Sequence, residues 1–304
     1  AGAVIFPGYK KKEMEADTTL QTTAPSKIGV ALSGGGARGL AHIGVLKVLE
    51  QAGVPIDCLA GTSMGGFIAA AYAAGMSPGA MEQEALRITK PRNLMALADP
   101  ILPRGGLLEG EKVREYLSDL LGDRTFDQLR LPLTLVAVDL NSGEPVHLNE
   151  GRVADAVRAT IALPGLFTPV ERGEYLLVDG GLLDNLPADV VRSMGADLVI
   201  AVDVAFGKEE IHSLSESLQE RRYIPNGLAE TIEVLYRSLT VMMMDSNRRR
   251  VEEAGPELII RPLLPPEVTT LAGFGRAAEI IAAGEEAARQ ALPQILDAFS
   301  GQNW

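Results

Sequence analysis

Along this chain, apolar residues fall into short blocks, most of them halted by glycine, proline or aspartate. Ile28–Leu32 is such a block and stops at Ser33-Gly34-Gly35-Gly36, the pattern of a buried strand entering a tight turn. Leu40, Ile43, Leu46 and Leu49 then recur at helical spacing and Gly53 follows, which predicts a helix over Leu40–Gln51. Val54–Ala60 reads as a second strand stopped by Gly61, and Met64–Ala74 as a small Ala-rich helix ending at Gly75. Strand, helix, strand, helix is the βαβ unit of a parallel sheet.

Residues 77–130 read as helical, interrupted at Pro91, Pro100, Pro103 and Gly105-Gly106. Leu133–Asp139 predicts a strand, and Val146–Leu148 a partner for it after the Asn141-Ser142-Gly143 turn. A helix is expected over Val153–Leu163, stopped by Pro164-Gly165, and a strand over Tyr175–Val178, ending at Asp179-Gly180-Gly181. Pro187–Met194 has proline in its first helical turn, Leu198–Val204 is another buried run, and residues 207–226 look like a loop. Long helices are expected near Leu228–Glu253 and Arg276–Phe299, with a late strand at Leu258–Arg261.

The chain has no internal repeat and no low-complexity linker. The pattern therefore favours one α/β domain, divided into a leader at 1–26, a core at 27–205 and a helical C-terminal portion at 206–304. Residues 8–27, with Lys10–Lys12 and a Thr-rich stretch, read as a mobile leader. No apolar run approaches the ~20 residues needed to span a bilayer.

Composition narrows the function. A net charge of −12 argues against nucleic acid, which is bound by neutralising phosphates with Lys and Arg. It argues equally against simple electrostatic adhesion to anionic lipid, so peripheral membrane contact would need an apolar surface or a local basic patch. The single cysteine, Cys58, rules out an intrachain disulfide and a cysteine-rich metal site, and it reads as a buried strand residue. Compartment stays open, with a cytoplasmic or membrane-peripheral setting favoured over a secreted or periplasmic one.

The candidate chemistry sits where strands end. Gly34-Gly35-Gly36-Ala37-Arg38-Gly39 lies between a strand and a helix, where backbone N–H groups face outward at a positive helix end and suit an anion. Its spacing also satisfies G-x-G-x-x-G, a dinucleotide fingerprint. That reading wants an acidic residue at the end of the next strand, where Gly61-Thr62-Ser63 stands instead. No Lys-Ser or Lys-Thr follows the glycines, so a Walker-type loop fails too.

Gly61-Thr62-Ser63-Met64-Gly65 matches G-x-S-x-G, in which small neighbours let a sharp strand-to-helix turn lift the serine hydroxyl above the sheet. Both loops close consecutive strands of one right-handed βαβ unit, so both emerge at the same edge. An ester carbonyl bound there would meet Ser63 as nucleophile and a rack of amides for its oxyanion. Of the three histidines, His42 falls inside a helix, His147 in a strand and His212 in a loop. None has the strand-end, glycine-flanked setting of Asp179, which is therefore the preferred base. An ordinary Asp pKa near 3.9 is weak for that work, although burial raises it.

Taken in order, the glycine-rich loop, Gly61-Thr62-Ser63-Met64-Gly65 and Asp179-Gly180-Gly181 resemble the patatin-like phospholipase family. The segment Arg158–Pro169 resembles a further shared block, in which a serine often replaces Thr160. Asp179–Met194 is similar to bacterial members and to the neuropathy target esterase branch. The match covers roughly residues 27–205. The resemblance implies a three-layer α/β/α fold with a mostly parallel central sheet. It also implies a Ser63–Asp179 dyad without histidine, an acyl-serine intermediate, and hydrolysis of lipid acyl esters with neither metal nor cofactor. The family's oxyanion loop falls on Gly34, Gly35, Gly36, Ala37 and Arg38, supported by Gly61, Gly65, Gly180 and Gly181.

Alternatives on the same fold are a non-hydrolytic acyl-lipid sensor or adaptor, which need not retain Ser63 and Asp179, and an acyltransferase. Leu235, Leu239, Met242 and Met243 fall on one helical stripe suited to core, to acyl chains or to a homodimer face. Arg248-Arg249-Arg250 suits a solvated helix end or phosphate head groups. The interrupted segment 89–110 suits either a mobile cover over an acyl site or an irregular connection.

Overall fold

The computed structural model describes residues 27–99, 106–204, 226–270 and 272–300. In chain order these form β1 (Ile28–Leu32), α1 (Ala41–Gln51), β2 (Cys58–Thr62), α2 (Ser63–Ala73), α3 (Pro78–Ile88) and α4 (Pro91–Ala96). There follow β3 (Gly106–Leu108), α5 (Glu111–Leu121), β4 (Leu133–Asp139), β5 (Glu144–Leu148), α6 (Val153–Thr160), β6 (Gly165–Phe167), β7 (Val170–Arg172) and β8 (Tyr175–Asp179). The chain continues with α7 (Ala188–Ser193), β9 (Leu198–Val202), α8 (Asn226–Ala254), β10 (Leu258–Ile260) and α9 (Ala277–Ser300). The leader, Pro100, Pro103, Gly105 and nearly all of the loop expected at 207–226 lie outside the described residues.

Every residue of β1, β2, β4 and β9 is buried, as expected of strands covered on both faces. Their side chains alternate between two cores. Ile28, Val30 and Leu32 of β1 join the cluster that includes residues of α1, α2, α3, α5, α6 and α9. Ala31, Cys58, Ala60, Val199 and Ala201 face the other way, toward Val190 and Val191 of α7 and Val251 of α8. The period-2 alternation of a strand thus yields three layers, helices on both sides of one sheet. Cys58 is a buried residue of the second core.

The sheet runs β10-β9-β1-β2-β4-β8-β7, with β5 also on β4. From β10 to β4 all neighbours are parallel, whereas β5, β7 and β8 are antiparallel. β10 brings the C-terminal portion into the central sheet. α9 packs on α1 through two facing glycines: a Cβ on Gly44 would stand 2.0 Å from the Ile281 carbonyl oxygen, and one on Gly284 2.0 Å from that of Ala41.

Several elements depart from the pattern read along the chain. A 3-10 turn over Gly36–Leu40 precedes α1, and Gly61 lies inside β2 rather than stopping it. The supposed helical stretch 77–130 contains β3, which pairs in parallel with β6. Three-residue strands such as β3, β6 and β7 are too short to show an alternation. α6 ends at Thr160 rather than Leu163.

The most consequential departure concerns the strand before Asp179. A strand of a parallel sheet would reach the C-terminal rim by running alongside its neighbours, but β8 runs antiparallel to β4. Its end still arrives beside that of β2, because β4 is longer than β2 and hosts both. Leu135 and Val136 pair with Gly61 and Thr62 of β2, and Ala137 pairs with Asp179 of β8. β5 pairs with residues 135–139 of the same strand. A strand has only two edges, so β5 takes one while the other passes from β2 to β8 between Val136 and Ala137. The two strands meet end to end.

Candidate active site

At that junction β2 turns into α2, and Ser63 adopts φ 54°, a left-handed conformation that a non-glycine residue holds only when its surroundings enforce it. Thr160 supplies part of the enforcement: its Oγ1 accepts the Ser63 amide at 2.9 Å and donates to the Val136 carbonyl. Tight packing supplies more, since a Cβ on Gly65 would lie 2.4 Å from the carbonyl oxygens of Leu32 and Ser33. One β4 carbonyl thereby steadies the turn through a threonine hydroxyl. The segment Arg158–Pro169 had suggested a shared block without a task for Thr160, because that task is visible only across α6, β4 and α2.

The Ser63 hydroxyl donates to Asp179 Oδ2 at 2.7 Å. Asp179 Oδ1 accepts the Gly181 amide at 2.8 Å, so the carboxylate is held at both oxygens, and the turn that holds it is packed tightly. A Cβ on Gly180 would fall 2.3 Å from the Val136 carbonyl oxygen, and one on Gly181 3.1 Å from Asp179 Oδ1. Asp179 is 4% exposed. Burial pushes its pKa up to about 6, against the opposing pull of the Ser63 and Gly181 hydrogen bonds. A carboxylate so poised is a far better proton acceptor at neutral pH than an ordinary aspartate.

The glycine-rich loop abuts Ser63: a Cβ on Gly34 would stand 3.1 Å from the Ser63 Cβ. Its amides are not equally available. Gly34 donates to the Asn185 carbonyl at 3.0 Å, Ala37 to the Thr270 carbonyl at 3.2 Å and Arg38 back to the Gly35 carbonyl at 3.0 Å. Of the five residues expected to form an oxyanion cradle, only Gly35 and Gly36 have amides that meet no acceptor among the described residues. This narrows the candidate donors. Gly36 has φ +52°, and a Cβ there would lie 1.9 Å from the Thr270 carbonyl oxygen, so only glycine fits. The Arg38 guanidinium donates to the Val204 and Val268 carbonyls at 2.8 and 3.4 Å and thus ties the loop to the C-terminal portion.

Asn185, a residue to which the sequence assigned no role, clamps this loop to the Asp179 turn. Its carbonyl accepts the Gly34 amide, and its Nδ2 reaches the Gly34 carbonyl at 3.4 Å. It stands within Asp179–Met194, but nothing in the pattern pairs it with Gly34. His42 is buried, and its Nε2 lies 2.8 Å from the Ser33 carbonyl oxygen, so that nitrogen carries the proton. Burial lowers its pKa to about 4, leaving a neutral imidazole that pins the residue before the loop. His147 is exposed on β5, and His212 lies outside the described residues.

A cavity of about 440 Å³ includes Ser63 and Asp179 in its lining and is otherwise largely apolar, with Phe67, Ile68, Ala71 and Met81 among its walls. Counting a methylene as roughly the ~30 Å³ share of a liquid water, it has room for on the order of 15 carbons. Phe67, Ile68 and Ala71 follow Ser63 along α2. At ~1.5 Å per residue the cavity tracks that helix for about 12 Å.

If Thr160 braces the Ser63 turn, Thr160→Val should cost about 10- to 100-fold in kcat for ester hydrolysis with little change in KM, by leaving the Ser63 amide and the Val136 carbonyl unpaired. Thr160→Ser should restore the rate. A parallel rise in KM, or no recovery with serine, would remove Thr160 from this role.

Comparison with known proteins adds the following. The family model described as Patatin-like phospholipase matches residues 30–192. An NTE family protein of Mycobacterium tuberculosis is 36% identical over 231 residues, which cover 75% of this chain and 61% of that protein. A second NTE family protein of the same species is 33% identical over 287 residues, covering 88% and 47%. Patatin-like phospholipase domain-containing protein 6 of Mus musculus is 37% identical over 221 residues, covering 70% and 16%. The chain thus spans less than two thirds of each of these relatives. Among solved structures, VipD of Legionella pneumophila aligns with a TM-score of 0.48 at 16% identity, covering 90% of this chain and 67% of that one.

Proposed function

Because this chain belongs to the patatin-like phospholipase family, we propose that it is a serine lipid acyl hydrolase working through Ser63 and Asp179. The 2.7 Å hydrogen bond from the Ser63 hydroxyl to the buried Asp179 carboxylate carries this reading. Asp179 takes the serine proton as Oγ attacks the ester carbonyl, and the Gly35 and Gly36 amides receive the negative charge that develops on the carbonyl oxygen. Collapse of this intermediate expels the alcohol or lysolipid, which leaves with the proton from Asp179, and an acyl-serine remains. Water, deprotonated by Asp179, then attacks the acyl-serine, and as the acyl–Oγ bond breaks Asp179 returns that proton to Ser63 Oγ, freeing the fatty acid and restoring both residues. No step calls for a metal or a cofactor. The apolar cavity beside Ser63 suits the acyl chain of such a substrate.

A fluorophosphonate probe separates this proposal from a binding-only protein on the same fold. The expected result is one covalent adduct per chain, on the peptide carrying Ser63, lost when the protein is first incubated with a long-chain acyl ester. An unlabelled wild-type protein would reject the reading. Adding acceptor alcohols to the same ester distinguishes transfer to water from transfer to another hydroxyl.

A further inference from the structure

The cavity that starts at Ser63 reaches α4 and the residues that follow it, where Leu94, Leu97 and Ala98 form part of its lining. Helix α4 has no buried residue. Leu94 is a wall of the cavity and is also 38% exposed, and its neighbour Met95 is 76% exposed. At this place a single short helix separates apolar space from solvent. Leu86, near the end of α3, adds a further exposed apolar side chain.

The charges beside α4 bear on what it faces. The chain carries a net charge of −12, and most of its exposed arginines are matched: Arg87, Arg152, Arg248, Arg249, Arg261 and Arg289 each sit on a carboxylate, whereas exposed Arg124 donates to the Ala74 carbonyl. Lys90 and Arg92 meet no carboxylate among the described residues, and both are exposed. Lys112 adds a third cation close by, with its Nζ 3.1 Å from the Ala98 carbonyl oxygen. Two cations that meet no carboxylate thus lie just before an exposed methionine, whose neighbour Leu94 is a wall of the apolar cavity.

We propose that α4 and the turn before it form a membrane-docking face, with Met95 entering the acyl region of an anionic lipid leaflet while Lys90 and Arg92 meet its phosphates. This rests on the lipid-hydrolase reading for its purpose but not for its evidence. A lipid surface fits better than a soluble partner because the face is continuous with the cavity, so an acyl chain passing from leaflet to Ser63 stays in apolar surroundings. An acidic protein is attracted to an anionic leaflet only where positive charge is concentrated and the rest lies beyond the screening length, about 8–10 Å at ordinary salt.

The test measures co-sedimentation with vesicles of phosphatidylcholine containing a minority of phosphatidylglycerol, in a Ser63→Ala background so that the lipid is not consumed. The Ser63→Ala parent should bind, and less so as salt is raised. Adding Lys90→Ala and Arg92→Ala together should weaken partitioning roughly 20-fold, each cation near such a surface being worth roughly a fivefold gain. Met95→Asp should weaken it at least about tenfold by loss of apolar insertion. With Ser63 intact, these surface variants should hydrolyse a water-soluble short-chain ester as wild type does, since none of the three residues lines the cavity. Parent protein that stays in the supernatant, or variants that bind as tightly as the parent, would overturn the proposal. Because binding is read without catalysis, failure of the hydrolase reading would leave this measurement intact.

Discussion

Ser63→Ala should lower turnover of a fatty-acyl ester about 10⁴-fold or more while leaving the protein folded and its acyl cavity formed. The size of the effect follows from the mechanism: removing the nucleophile of a coupled group forfeits nearly all of its rate enhancement, because the base has nothing left to activate. The fold should not suffer. Alanine carries the same Cβ as serine and so adds no strain at φ 54°, and the Thr160 bond that holds the turn goes to the backbone amide of position 63, not to its side chain. The check is a chromogenic long-chain ester assay beside thermal melts of both proteins. Equal hydrolysis by wild type and variant would end the Ser63 assignment.

Asp179→Asn should be nearly as inactive and, at neutral pH, more stable than wild type. In the folded protein burial raises the Asp179 pKa to about 6 from an ordinary 3.8. A raised pKa means that the folded state prefers the protonated acid. The associated stability is complete below about pH 4 and is lost as the pH climbs through 6. At pH 7 the wild type therefore holds an ionised carboxylate at a cost of up to about 3 kcal/mol. Asparagine keeps an oxygen for the Gly181 amide, and its own amide can reach the Ser63 hydroxyl, but it neither ionises nor accepts a proton.

Two measurements check this. Wild-type kcat/KM should rise with pH along a single ionisation near 6 and then level. The stability gap between variant and wild type should open between about pH 4 and 6. A second buried acid, Asp184, has a pKa raised to about 7 by burial and by the nearby Asp189, partly offset by Arg250. Its stability contribution is likewise lost as pH rises through 7, so both proteins should still weaken above pH 6. An Asp179→Asn variant with wild-type activity would remove Asp179 from the mechanism. A stability gap that does not change between pH 4 and 6 would contradict the shifted ionisation.

The elements that build the candidate site were legible because their signals are local. β1 followed by glycines, β2 followed by Gly61–Gly65, and the Asp179-Gly180-Gly181 turn each combine an apolar run with residues that only a tight turn tolerates. What the pattern could not express was tertiary. An apolar run has no arrow, so the antiparallel course of β8 was invisible. Which loop amides are occupied depends on Asn185 and Thr270, far along the chain from the glycines. The bracing of Ser63 by Thr160 spans nearly a hundred positions. Leu235 and Leu239 have side chains outside the described residues. Met243 of the same stripe is buried near Gly181, while Met242 is exposed.

The end-to-end meeting of β2 and β8 on one edge of β4 has a mechanical consequence. Residues that hang from different strands drift apart when a sheet flexes or changes its twist, but here Thr62 and Asp179 are pinned to consecutive residues of a single strand. Bending the sheet carries hydroxyl and carboxylate together. Prying them apart means unzipping β8 from β4, so the integrity of the pair should fade only when the interior itself lets go.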